Sequence, residues 1–166
     1  LERMAKKVDS PLKLVETVIA ENNARRFKML AKINAAFDNN LRGKRLAVLG
    51  VTFKAETDDM RDSPSIGILQ ELHLSGVEIS VYDPQGKKNG PKFFPYAKFC
   101  DDAKSALKGA DGALILTEWA EFKKLTAKDF KDNLKTAVVV DLRNMFKLED
   151  MAGVSYYSLG RKTVKP

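Results

Sequence analysis

Apolar residues come along this chain in short runs of strand length, separated by stretches with helical spacing. Arg45-Leu46-Ala47-Val48-Leu49, Ala113-Leu114-Ile115-Leu116 and Ala137-Val138-Val139-Val140 are nearly continuous, and Glu78-Ile79-Ser80-Val81-Tyr82-Asp83 alternates before stopping at Pro84. Runs without alternation indicate strands buried on both faces, as in a parallel sheet covered by helices. Between them, 65–74 carries Ile66, Leu69 and Leu72 with Gly76 just beyond, and Ser63-Pro64 supplies a cap followed by proline at the first helical position. Asp101-Asp102 starts a short helix to Lys108 that Gly109 stops, and 126–131 is another. The stretch 85–100, rich in Lys, Gly, Pro and aromatic residues, reads as an irregular loop, and 154–159 as an edge strand. The pattern predicts an α/β fold: a Rossmann-like parallel sheet with helices on both faces, its crossovers right-handed.

A different pattern precedes this. Asp9-Ser10-Pro11 supplies a helix start, and neither proline nor glycine occurs from Leu12 to Phe37, predicting one helix about 40 Å long. Leu12, Val15, Ile19, Leu30, Ile33 and Phe37 share a stripe that Asn22 and Arg26 interrupt. Two readings stand: a core helix whose polar turn is solvated, or a linker helix that also packs on a second chain. The length, more than a small sheet can cover, supports the second. Asp38-Asn39-Asn40-Leu41-Arg42-Gly43-Lys44 has turn composition, so residues 1–40 are expected to be a linker and dimerisation helix and 41–166 the domain proper.

At 166 residues and 44% apolar, one core of ordinary size is expected. The balance of 29 Lys plus Arg against 22 Asp plus Glu, a net +7, points to anionic partners. The cations are dispersed among carboxylates rather than clustered, which argues against a nucleic-acid footprint. Cys100 is the single cysteine, so an intrachain disulfide is excluded and a reducing, cytoplasmic setting is the natural reading. No apolar run approaches the roughly 20 residues of a membrane span, and no membrane partner is expected. The opening Leu1 and the absence of a signal pattern suggest an internal stretch of a longer protein.

Candidate chemistry collects where strands end. Phe53, Lys54 and Arg61 follow the first, Asp83 the second, Thr117 and Glu118 the third, and Asp141 and Arg143 the fourth. In an open α/β sheet, ligands sit beyond the carboxyl ends of the strands. Lys54, Arg61 and Arg143 are therefore expected around a common crevice suited to a pyrophosphate, where arginine forks two hydrogen bonds. No G-x-G-x-x-G can be read: Gly50 is followed by Val51-Thr52-Phe53, and Asp83 is too far along for the usual ribose-binding acid. Neither a metal-ligand spacing nor a nucleophile–base pair is present. His73 and Cys100 read as structural, the latter because Asp101 and Asp102 disfavour a thiolate; Trp119 and Phe122 read as packing residues.

The segments from Lys44 to Lys54, Thr57 to Ser65 and Val81 to Pro84, with Leu116-Thr117-Glu118-Trp119 and Asp141-Leu142-Arg143-Asn144, resemble the carboxyl-terminal part of the UDP-glucose 6-dehydrogenases, in a family that includes GDP-mannose dehydrogenase. The resemblance implies two Rossmann-like domains joined by a long helix on which two subunits form a homodimer, with this chain supplying the helix and the second domain. It implies oxidation of a nucleotide sugar, UDP-glucose or a relative, to the carboxylate with two NAD, through a cysteine thioester. Carried over by position, Phe53, Lys54 and Arg143 would contact the substrate and Arg61 the NAD pyrophosphate. The family's glycine-rich NAD domain and catalytic cysteine have no counterpart here, so no catalytic residue is assigned and the chain alone is expected to be inactive. Met60 and the Asp141–Asn144 pattern are closer to the UDP-glucose branch than to the GDP-mannose one. The same domain of a GDP-mannose or UDP-N-acetylhexosamine dehydrogenase, or a stand-alone nucleotide-binding module, are the alternatives.

Overall fold

The structure, a computed structural model, describes residues 12–166, without the Asn23 side chain. Helix α1 (Lys13–Ala36) leads into β1 (Arg45–Leu49), α2 (Pro64–Leu74), β2 (Glu78–Tyr82), α3 (Gly90–Phe93) and β3 (Lys98–Phe99). There follow α4 (Ala103–Leu107), β4 (Gly112–Ile115), α5 (Ala127–Asn133), β5 (Val138–Asp141) and β6 (Ser155–Ser158). All six strands run parallel in the order β3-β2-β1-β4-β5-β6. The order reverses between β1 and β4, which opens a crevice beyond their carboxyl ends. Among the described residues no helix is long and apolar enough to cross a membrane.

The strand period divides the core between two faces. Leu46 and Val48 point to one side with Ile33 of α1, Phe37 at its C-cap, and Ile68 and Leu72 of α2. Ala47 and Leu49 point to the other, with Leu107 of α4, Phe130 of α5 and Tyr156. The end of α1 is thus part of the domain core, whereas Leu14 and Val18 near its start are 79% and 51% exposed. The helix overhangs the sheet, as its length required. The Asp9-Ser10-Pro11 start lies outside the described residues.

The expected helix over 65–74 and the strands are present, with ends displaced by one or two residues. The stretch 85–100 departs from expectation, since it contains α3 and the edge strand β3. Neither element is long enough for a hydrophobic pattern to repeat, so periodicity could not show them. Tertiary packing holds them: Phe94 is fully buried, and the Phe99 ring lies where a side chain on Gly90 would stand.

Two buried carboxylates lock the loops at the crevice. Oδ2 of Asp83, just past β2, accepts from the backbone N–H of Val51 (2.7 Å) and Thr52 (3.0 Å), from the Thr52 hydroxyl (3.0 Å) and from the Trp119 indole (3.2 Å). Thr117 Oγ1 donates to the Thr52 carbonyl at 2.8 Å, and Ser63 Oγ donates to that of Val51 at 2.8 Å. Gly50 turns at φ +82°, and a Cβ there would stand 2.5 Å from that of Thr117, so the loop after β1 can leave the sheet this way only with glycine. At the end of β5, the Asp141 carboxylate accepts from the N–H of Arg143 and Met145 and from the Tyr156 hydroxyl (2.6 Å). Burial and then that hydrogen bond push the Tyr156 phenol well above its usual range.

Replacing Asp83 with alanine leaves several buried donors without an acceptor and is expected to destabilise the fold by at least about 3 kcal/mol in urea denaturation. A loss under about 1 kcal/mol would mean that the loop is held some other way. The Thr126–Asp129 capping box of α5, with Lys104 2.8 Å from Asp129, gives a pH signature. Hydrogen bonds from Lys104 and Thr126 lower the Asp129 carboxyl to about 2, below the roughly 3.9 of an unfolded chain. Its stabilisation is therefore complete above about pH 4 and disappears as pH falls towards 2. The melting temperature of Asp129→Asn should lie below that of the parent at pH 6 and converge with it near pH 2; a constant gap would refute the linkage.

Candidate functional site at the carboxyl edge of the sheet

The ends of β1, β4 and β5 meet the middle of α1 around a cavity of about 500 Å3, lined by Arg25, Arg26, Phe53, Ser63, Leu142 and Arg143 among others. This is within the size range of small-molecule sites. The sheet supplies its floor, Leu116 and Leu142 being residues that directly follow β4 and β5. Phe53, 48% exposed, stands at the lip, its backbone N–H donating to the Asp59 carbonyl at 2.8 Å and closing the loop beneath it. Arg143 is carried by a turn in which Asn144, at φ +56°, exchanges two hydrogen bonds with the backbone of Leu159. Its guanidinium forms an ion pair with Glu118.

Of the residues singled out in the sequence, Phe53 and Arg143 share this cavity. Lys54 is exposed beside Phe53 but is not part of the lining. Arg61 points elsewhere: Nε and Nη2 both reach the Asp59 carboxylate, at 3.0 and 2.9 Å, above a separate shallow depression with Asn89, Lys92 and Phe93. Hydrogen bonds from Arg61 lower the Asp59 carboxyl to about 2. The expected ring of Lys54, Arg61 and Arg143 around one crevice is therefore not formed. The cations that join Arg143 are Arg25 and Arg26, contributed by α1. Their only trace in the sequence is the polar break in the apolar stripe.

The cavity is cationic. Three arginines offer positive potential with forked donors, tempered by Asp62 in the lining and by Glu118, which pairs with Arg143. No cysteine or histidine is among the described lining residues. His73 stacks on Tyr96 with ring centroids 4.3 Å apart, at the opposite end of the strands. Burial raises the Cys100 thiol above its usual range, so its thiolate is disfavoured. Among the described residues no group of three or more His, Cys, Asp or Glu is placed to hold a metal ion. Nor do the residues of the switch point fit NAD: Asp83, where a ribose-binding acid would stand, is 2% exposed and already occupied by the β1 loop.

Residues 47–148, more than half of the chain, match the family described as "UDP-glucose/GDP-mannose dehydrogenase family, UDP binding domain". A UDP-glucose 6-dehydrogenase of Rhizobium meliloti (strain 1021) is 41% identical over 163 residues, covering 97% of this chain and 37% of that protein. The chain thus spans somewhat more than a third of the length of the curated relatives it matches. Among solved structures, the UDP-N-acetyl-mannosamine dehydrogenase Cap5O from S. aureus is similar with a TM-score of 0.73 at 30% identity, over 89% of this chain and 33% of that one. A UDP-glucose dehydrogenase from the hyperthermophilic archaeon Pyrobaculum islandicum shares the fold with a TM-score of 0.77 at 21% identity, over 94% of this chain and 34% of that one. With its sheet, its switch-point loop and its matched segment in agreement, the chain belongs to the UDP-glucose/GDP-mannose dehydrogenase family and carries that family's UDP binding domain.

Proposed function

We propose that this chain is the substrate-binding part of an NAD-dependent UDP-glucose 6-dehydrogenase and that the cavity at the carboxyl edge receives the nucleotide sugar. The observation that carries this reading is the convergence of Arg25, Arg26 and Arg143 on one cavity at the switch point. A diphosphate needs such a site: two phosphoryl groups are best met by planar, forked cations in a partly dry cavity. Phe53 offers an exposed ring at the lip and Lys54 an exposed cation next to it, and on this reading both serve the sugar. Arg61, exposed on the outer side of the same loop, is free to trade Asp59 for a cofactor pyrophosphate presented by another domain.

When bound, NAD accepts hydride from the sugar; this chain's share of the work is to bind and orient. Asp83 and Asp141 hold the two loops in place before any ligand arrives, so little ordering is left for the moment of binding. Residues 1–40 are then the linker and dimerisation segment, of which α1 is the described helix, and 41–166 the substrate domain, whose cavity α1 completes with Arg25 and Arg26. The exposed Leu14 and Val18 on the overhanging half of α1 support a homodimer contact there.

Calorimetric titration with UDP, UDP-glucose and GDP-mannose tests the reading. UDP and UDP-glucose are expected to bind, and GDP-mannose about tenfold or more weakly; equal or undetectable heats for all three would remove the assignment. Arg143→Ala should reduce UDP affinity by about tenfold, the loss of one charge-assisted contact. Lys147→Ala, an exposed cation on the same loop outside the cavity, should change it by no more than about twofold. The reverse order would move the site away from the strand ends.

A further inference from the structure

Gly67 is the fourth residue of α2 and lines the cavity, yet nothing about its backbone calls for glycine. It is not among the residues with positive φ, and glycine inside a helix is destabilising relative to alanine. What the missing side chain provides is room. A Cβ at this position would lie 2.6 Å from Nη1 of Arg26, 2.7 Å from its Cδ and 3.3 Å from its Cζ. The Arg26 side chain crosses from α1 and lies directly on the bare backbone of α2. Its guanidinium carbon also lies 5.1 Å from the centroid of the exposed Phe27 ring, close enough for a cation–π contact.

Arg26 and Gly67 line the cavity together with Ser63 and Pro64, the start of the 11-residue α2. The guanidinium therefore stands where the positive end of that helix dipole adds to its own charge. A longer side chain at position 67 would occupy this place and turn Arg26 outward, removing its charge from that wall of the cavity. The clash is with the far end of a flexible side chain, so α2 itself has no reason to yield.

Resting on the nucleotide-sugar reading above, we propose that Gly67 is a positioning residue: by leaving α2 bare it seats Arg26 in the cavity, where Arg26 receives the diphosphate of the ligand. The role is indirect, since Gly67 touches Arg26 and Arg26 touches the phosphate.

The test uses the opposite signs expected for stability and binding. Gly67→Ala should raise the melting temperature by roughly 2–4 °C through helix propensity and weaken UDP binding by about five- to tenfold. Arg26→Ala should weaken UDP binding to a similar degree. The double variant Arg26→Ala/Gly67→Ala should bind no worse than Arg26→Ala alone, because the two changes remove one interaction. Unchanged UDP affinity in Gly67→Ala, or losses that multiply in the double variant, overturn the role of Gly67 and leave the nucleotide reading standing. A lower melting temperature in Gly67→Ala would show that the added methyl meets packing other than Arg26, and also overturns it. If the unsubstituted chain binds no UDP, the nucleotide reading itself fails and takes this inference with it.

Discussion

A single carboxylate, that of Asp83, decides what the carboxyl edge of this sheet can hold. In a dinucleotide-binding sheet the acid at the end of β2 faces a ribose. Here it faces inward, and the N–H groups of Val51 and Thr52, the Thr52 hydroxyl and the Trp119 indole converge on one of its oxygens. A buried anion without a cationic partner persists only if donors surround it. The loop after β1 supplies three of them and is fixed as a result. The same architecture that elsewhere reads a cofactor is thus closed to it on this side, and the open volume lies towards α1.

That displacement explains why the site is a composite. The sheet contributes rigid floor and two pinned loops, but only one of the three arginines. The other two come from a helix whose last turns, through Ile33 and Phe37, belong to the hydrophobic core. The Phe37 ring is accommodated by Gly112, where a Cβ would approach it to 2.5 Å. Core packing at one end of α1 therefore sets the height at which Arg25 and Arg26 enter the cavity about three turns earlier. Position in the fold and charge in the site are two readings of one rigid body.

Much of this was legible from residue order. Strands buried on both faces show as continuous apolar runs, and Ser63-Pro64, Asp102 and Thr126 mark helix starts that the structure uses as caps. Phe53 and Arg143 could be found because strand ends are where an α/β sheet exposes its loops. The direction of a side chain is another matter. Lys54 and Arg61 have the same charge as Arg143 and equally promising places, but Asp59, two residues before Arg61, captures its guanidinium. Arg25 and Arg26 could not be assigned because nothing local says which sheet edge a helix will cross. α3 and β3 were hidden for a simpler reason: four and two residues are too few to carry a period.

The overhang of α1 has a thermodynamic meaning. Its first turns, with Leu14 and Val18 exposed, gain little from the domain they lead to, and a helical segment of that length has marginal stability from its own hydrogen bonds. Arg25 and Arg26 sit at the border between the anchored and the unanchored part. Whatever covers the free half of the helix thereby stiffens the arm from which two of the three arginines are hung, and the placement of those arginines becomes coupled to contacts made some 15 Å away.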